Sequence, residues 1–206
     1  MQLTKNSATS ATNPAFTKLA DGIWKMEAGC NIYFLDSSAA GEKILIDTGS
    51  RSERKKLEFF LSKLVDFNSI NKIIFTHLHY DHIGNFDLFP NAMLLASKQE
   101  IDDFKSTPSK TVLDADIAEK FKQAQTKLLP IDELKIAGLE IIPTPGHTRG
   151  SICVWMPDKK ILFSGDTMMK NSLGRTDLPT SSPEAMQQSV TKLVSYNFKT
   201  LCPGHD

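Results

Sequence analysis

Four side chains able to hold a metal ion stand close together in the run Thr76-His77-Leu78-His79-Tyr80-Asp81-His82, directly after the apolar pattern Lys72–Phe75. No other stretch constrains the fold as strongly. In extended backbone, residues two apart point the same way, so His77 and His79 present their imidazoles to one point, and Asp81 and His82 follow as the chain turns. Imidazoles and a carboxylate packed together without a cation would be a costly arrangement. The run therefore calls for a metal, and for a fold that brings further ligands to the end of this strand.

The chain has five histidines, and the two outside the run share one setting. His147 lies in Pro143-Thr-Pro-Gly-His147-Thr and His205 in Cys202-Pro-Gly-His205-Asp206. Each follows a short apolar strand and a Pro-Gly break, which ends strand pairing and lifts the imidazole into a rigid loop at a sheet edge. Two aspartates behave alike: Asp47 closes Lys43-Ile-Leu-Ile-Asp47-Thr-Gly, and Asp166 closes Lys160-Ile-Leu-Phe-Ser-Gly-Asp166-Thr. Taken alone, either reads as a turn former as readily as a ligand.

Short strands with turn signals between them occupy Ala15–Leu19, Gly22–Glu27, Asn31–Leu35 and Lys43–Ile46, and read as antiparallel. Ser52–Val65 has apolar residues at helical spacing, with Arg51, Arg54, Lys55 and Lys56 on a solvated face. Strands at Lys72–Phe75 and Ala92–Ala96, helices at Lys98–Phe104 and Val112–Leu128, and strands at Glu133–Ala137, Leu139–Pro143, Ser151–Met156 and Lys160–Phe163 follow. A helix at Pro183–Ser195, with Pro in its first turn and Ser182 as cap, precedes strand Thr200–Cys202. Strand runs separated by helices predict an α/β layered sandwich of mixed sheets covered by helices. The 206 residues suit one domain, read as 15–206, with 1–14 as a flexible N-terminal tail.

Composition removes several classes of partner. Lys+Arg and Asp+Glu are 24 each, so no net positive field exists to hold nucleic acid or an anionic membrane. No apolar run approaches the roughly 18 residues of a membrane span, and the polar start MQLTKNSATSATNPAF lacks the apolar stretch of a signal peptide. Cys30, Cys153 and Cys202 are widely spaced without CxxC, which argues against a disulfide framework and for simple apolar packing. A cytoplasmic location is expected.

The ordered series His77-x-His79-x-Asp81-His82, His147, Asp166, His205, with Asp47 on an earlier strand, resembles the metallo-β-lactamase superfamily. The resemblance implies a four-layer αββα sandwich of two mixed sheets flanked by helices, with the site at one edge. It also implies two divalent metal ions, zinc first, with iron or manganese as alternatives. His77, His79 and His147 would hold one ion, Asp81, His82 and His205 the other, and Asp166 would bridge them. Asp47 would orient the ligand loop from behind. Such ions lower the pKa of a bound water, so metal supplies the nucleophile and no protein nucleophile is needed; Asp81 or Asp166 would hold the proton.

Within the superfamily, a carboxylate at Asp166 stands where many true β-lactamases have Cys or Ser, and His79 stands where flavodiiron proteins have Glu. The stretch Phe163 to Pro179 is most similar to small glyoxalase II-like hydrolases, which implies a small-molecule acyl substrate, a thioester. Lys170 and Arg175 are the cations nearest in sequence to the bridging Asp and could grip a substrate carboxylate. Three alternatives stay open: a lactone hydrolase, β-lactamase-type activity, and a persulfide dioxygenase with a single iron, which shares the element Gly174-Arg-Thr-Asp177.

Overall fold

The computed structural model describes residues 16–37 and 41–206. The tail expected over residues 1–14 lies outside them. Seven strands form the first sheet in chain order: β1 (Thr17–Ala20), β2 (Ile23–Ala28), β3 (Cys30–Ser37), β4 (Glu42–Ile46), β5 (Lys72–Ile74), β6 (Met93–Ala96) and β7 (Leu128–Pro130). Pairing is antiparallel from β1 to β4 and parallel from β4 to β7. The second sheet contains β8 (Glu140–Pro143), β9 (Ile152–Met156), β10 (Ile161–Gly165) and β11 (Thr200–Pro203), ordered β11-β10-β9-β8. Only its β10–β11 pair is parallel. Both sheets are thus mixed, as the sequence suggests.

Side-chain alternation decides how the sheets stack. In β3, Tyr33 and Leu35 face inward while Phe34 faces out, and in β4 Ile44 and Ile46 face inward while Leu45 faces out. The inward set meets Ile152, Val154, Ile161, Phe163 and Cys202 of the second sheet, so the sheets pack face to face. The outward residues of the first sheet are covered by α1 (Arg54–Leu61), α3 (Lys98–Ser106) and α5 (Ala115–Lys122), through Leu57, Leu61, Phe104 and Phe121. Cys153, Trp155 and Leu162 on the other outer face meet Leu193 of α6 (Pro183–Leu193). Helix, sheet, sheet, helix is the four-layer order expected. Two short helices, α2 (Tyr80–Ile83) and α4 (Pro108–Val112), complete the set.

Ser182 caps α6 by accepting from Ala185 N–H, with Pro183 in the first turn. The helix read over Val112–Leu128 is broken. Leu113 adopts φ 64°, Asp114 caps a new helix through Ile117 N–H, and the chain leaves that helix to form β7 on the edge of the first sheet. The strand read at Glu133–Ala137 is absent: Ile136 makes an isolated bridge to Leu139 across Gly138, at φ 76°. Arg51 and Arg54 each lie 2.7 Å from Asp87 Oδ1, which accounts for part of the basic face. All three cysteines are free and buried. Among the described residues, no helix is long and apolar enough to cross a membrane.

Candidate metal centre

Five strand exits deliver the candidate ligands to one rim. Asp47 follows β4, His77 and His79 follow β5, and Asp81 and His82 lie in α2, which starts directly behind them. His147 follows β8, Asp166 follows β10, and His205 follows β11. Parallel pairing of β4 with β5 and of β10 with β11 is what places these exits side by side.

His79 Nδ1 lies 3.0 Å from His77 Nε2 and 3.0 Å from His147 Nε2. The partners of the other ring nitrogens fix what these atoms carry. His147 Nδ1 lies 2.9 Å from the Arg175 carbonyl oxygen, so it is the protonated nitrogen and Nε2 keeps its lone pair. Thr76 donates its hydroxyl to Asp47 Oδ2 at 2.8 Å, so it accepts from His77 Nδ1 at 3.1 Å, and His77 Nε2 is likewise left bare. Two lone pairs thus converge with His79 Nδ1.

The second group is Asp81, His82 and His205, with His205 Nε2 3.3 Å from Asp81 Oδ2. His82 Nδ1 donates to Asp47 Oδ2 at 2.9 Å, which turns His82 Nε2 toward the cluster as the nitrogen that would ligate an ion. Asp166 lies between the groups. Its Oδ2 is 3.4 Å from His147 Nε2 and 3.6 Å from His205 Nε2, and its Oδ1 is 3.4 Å from His82 Nε2.

These residues fit a metal on the structure's own terms. His82 Nε2 and Asp166 Oδ1 are buried and have no hydrogen-bond partner among the described residues, a cost that a cation would remove. The donor atoms of His77, His79 and His147 all lie within 4.8 Å of one another, as do those of Asp81, His82 and His205. Burial, and then the neighbouring imidazoles, holds His77 well below the usual imidazole range and His79 down to about 3, so both remain in the neutral form that ligates. Burial also works against a charge on His82, yet the Asp47 and Asp166 carboxylates beside it outweigh this and raise that pKa well above its ordinary value. The two carboxylates around His82 thus favour a cation.

The structure brings His77, His79, Asp81, His82, His147, Asp166 and His205 together, with Asp47 behind them. Lys170 and Arg175 are not part of the cluster of donor atoms. The Arg175 guanidinium is exposed and pairs with Asp177 through two bonds of 2.9 Å, while its backbone carbonyl serves His147. Lys170 is exposed, and its charge is felt at Asp206. The sequence reading missed Thr76, although it opens the histidine run, and it missed Asn31 and Tyr33. Asn31 N–H donates to the Gly204 carbonyl at 2.7 Å and the Tyr33 hydroxyl to the Pro203 carbonyl at 2.7 Å, fixing the segment that carries His205. No local pattern marks that role, because the partners are 170 or more residues apart for the side-chain bonds.

Residues 27–205 match the family described as the Metallo-beta-lactamase superfamily. A "Beta-lactamase-like protein 2 homolog" of Caenorhabditis elegans is 30% identical over 86% of this chain and 56% of its own length, so the chain spans little more than half of that relative. The "Hydroxyacylglutathione hydrolase GloC" of Haemophilus influenzae is 25% identical over 85% of this chain and 83% of its own. A solved metallo-beta-lactamase family protein of Thermus thermophilus superposes with a TM-score of 0.72 at 21% identity, covering 92% of this chain and 75% of that one. The protein TTHA1623, solved in a di-iron-bound form, does so with a TM-score of 0.66 at 25% identity, covering 86% and 87%. With the fold, the histidine cluster and the matched span in agreement, the chain belongs to the metallo-beta-lactamase superfamily, a family of metal-binding proteins that are mostly hydrolases.

Proposed function

We propose that this chain is a dinuclear metal-dependent hydrolase that cleaves an activated acyl bond, a thioester, in a small-molecule substrate. The observation that carries the reading is the place of Asp166: one carboxylate within 3.6 Å of ligand atoms from both groups. Two ions would be held there, one by His77, His79 and His147 and the other by Asp81, His82 and His205, with Asp166 facing both groups. Zinc is the proposed ion, since nitrogen and carboxylate donors suit it. When bound, such ions act as Lewis acids toward an acyl oxygen and bring the pKa of water near neutrality.

The chain's own residues set what else the site does. His77, His79 and His82 form a buried floor that keeps bulk water away, while Asp81 at 21% and His205 at 33% side-chain exposure open the mouth to substrate. Asp81 and Asp166 are the carboxylates placed to hold the proton that water releases on attack. All five histidines belong to the cluster, which leaves no free imidazole to protonate an amine leaving group. A thiolate leaves without that help. The products are a carboxylic acid and a thiol. The relative named as a hydroxyacylglutathione hydrolase supports this substrate class; we propose a 2-hydroxyacyl thioester with little dependence on a glutathione carrier.

The test pairs elemental analysis with kcat/KM for S-lactoylglutathione, a lactoyl thioester of a small carrier, an acyl-homoserine lactone and a chromogenic β-lactam. Two equivalents of zinc per chain and a clear preference for both thioesters are expected. A single equivalent of iron with oxygen uptake on glutathione persulfide, or preference for the lactone or lactam, would overturn the reading.

A further inference from the structure

The N-terminus of α3 reaches the two loops that carry the candidate ligands without supplying a ligand itself. Glu100, 1% exposed, accepts from Leu78 N–H through Oε2 at 2.9 Å and from Gly150 N–H through Oε1 at 3.2 Å. Leu78 stands between His77 and His79, and Gly150 lies in the loop that begins at His147. Each carboxylate oxygen therefore holds a different ligand loop, one leaving the first sheet and one leaving the second. Leu78 is wholly buried, so its N–H has no water to turn to if the carboxylate is removed.

The surrounding contacts are built for this approach. The Ser97 hydroxyl donates to the Gly150 carbonyl at 2.6 Å while accepting from Glu100 N–H at 3.2 Å. One turn further along the helix, Asp103 takes the Arg149 guanidinium through two bonds of 3.0 and 2.6 Å. Gly150 has to be glycine: a Cβ there would lie 2.5 Å from both Glu100 N and Ser97 Oγ. A backbone bond from Ile152 N–H to the Thr76 carbonyl, 2.9 Å, already ties the adjoining strand ends together. Beyond it, Glu100 joins the two loops that carry the imidazoles.

We propose that Glu100 is a positioning residue whose two oxygens clamp the His77–His79 loop to the His147 loop and so set the spacing of the three imidazoles. The proposal rests on reading that cluster as a metal site, and it is independent of the substrate. Glu100→Gln keeps one acceptor but turns an NH2 group toward the other amide, and Glu100→Ala removes both. Loss should therefore grow from Gln to Ala.

The experiment measures the affinity of each of two ions on the full chain, by chelator competition with zinc, and uses cadmium NMR to tell the three-histidine environment from the carboxylate-containing one. Amide hydrogen exchange at Leu78 and Gly150 is followed in the metal-free protein. Phe104→Leu, a core change on the same helix, serves as the control for mere loss of stability. In the Glu100 variants the three-histidine ion should bind about 10–100-fold more weakly, the usual size of a loss behind a ligand. Both amides should exchange faster, and the other ion should be unaffected; Phe104→Leu should lower Tm without this split. If Glu100→Ala fails to fold, Glu100→Gln carries the test. Equal weakening of both ions, or wild-type affinity at the three histidines, would overturn the proposal. A protein that binds both ions yet hydrolyses no thioester leaves it standing; wild-type protein with no ion at the three histidines sinks both readings.

Discussion

Replacing Asp47 by Asn removes a charge from the most connected side chain behind the metal centre while changing little else. Asp47 is 1% exposed and accepts three hydrogen bonds: Thr76 N–H to Oδ1 at 2.8 Å, and the Thr76 hydroxyl at 2.8 Å and His82 Nδ1–H at 2.9 Å to Oδ2. Its backbone sits at φ 60°, a region Asn tolerates, so the substitution adds little strain of its own. The amide keeps the Oδ1 contact and turns an NH2 group toward two donors. Two charge-assisted bonds at about 1.5–3 kcal/mol each are lost, and part is recovered because a buried charge goes with them, leaving a destabilisation of about 3 kcal/mol. His82 loses the partner that directs its Nε2 into the site, so the ion held by Asp81, His82 and His205 should bind about 10–100-fold more weakly. That factor corresponds to about 1.4–2.7 kcal/mol. The three-histidine ion should suffer less, because His77 feels Asp47 only through Thr76; Thr76→Val should weaken that ion alone. Chelator competition and thermal unfolding measure both quantities. Wild-type affinity for both ions in Asp47→Asn would refute the relay.

Gly204→Ala would place a Cβ 2.1 Å from Asp166 Oδ1 and 3.0 Å from His82 Cε1, so the carboxylate must move. Activity should fall about 100-fold, the usual result of an ångström-scale misplacement, and unaltered kcat/KM would show that the position of Asp166 is not critical. The metal-free protein should have a stability optimum near pH 6.5. Burial first of all lowers the pKa values of His77, His79 and His147, so below about 6.5 the unfolded chain takes up protons that the fold cannot, and stability is lost as pH falls, by up to about 1.36 kcal/mol per pH unit for each group. His205, raised first by Asp81, and His82, whose burial is outweighed by the Asp47 and Asp166 carboxylates, act the other way, and their contribution is lost as pH rises from about 6.5 through their folded values. Urea unfolding of chelator-treated protein at about pH 5, 6.5 and 8 checks this, and stability that does not change across the range contradicts it.

Much of the site was legible because its signals are local. His77 and His79 share a side by strand alternation, and the Pro-Gly breaks before His147 and His205 announce rigid loops at strand ends. The cap at Ser182 and the Pro at 183 were equally readable. The helix break at Leu113 and Asp114 was not, since Asp114 also fits within a continuous amphipathic pattern, and neither was the exit from the next helix after Lys122, which lets the Leu128–Pro130 segment pair with the edge of β6. Ile136 and Leu139 looked like parts of two strands because each is apolar, yet Gly138 at φ 76° folds them back on each other.

By itself the sequence determined which side chains can ligate and at which strand ends they stand, since both follow from residue type and short-range spacing. The tertiary structure alone decided that Asp47 reaches His82 across 35 residues, that Glu100 spans two loops 22 and 50 residues away, and that Asp166 falls between the two ligand groups. Those distances depend on how two sheets twist and pack on a shared apolar layer. Hydrogen bonds and ligand contacts then form only where that packing carries donors and acceptors to within about 3 Å of each other.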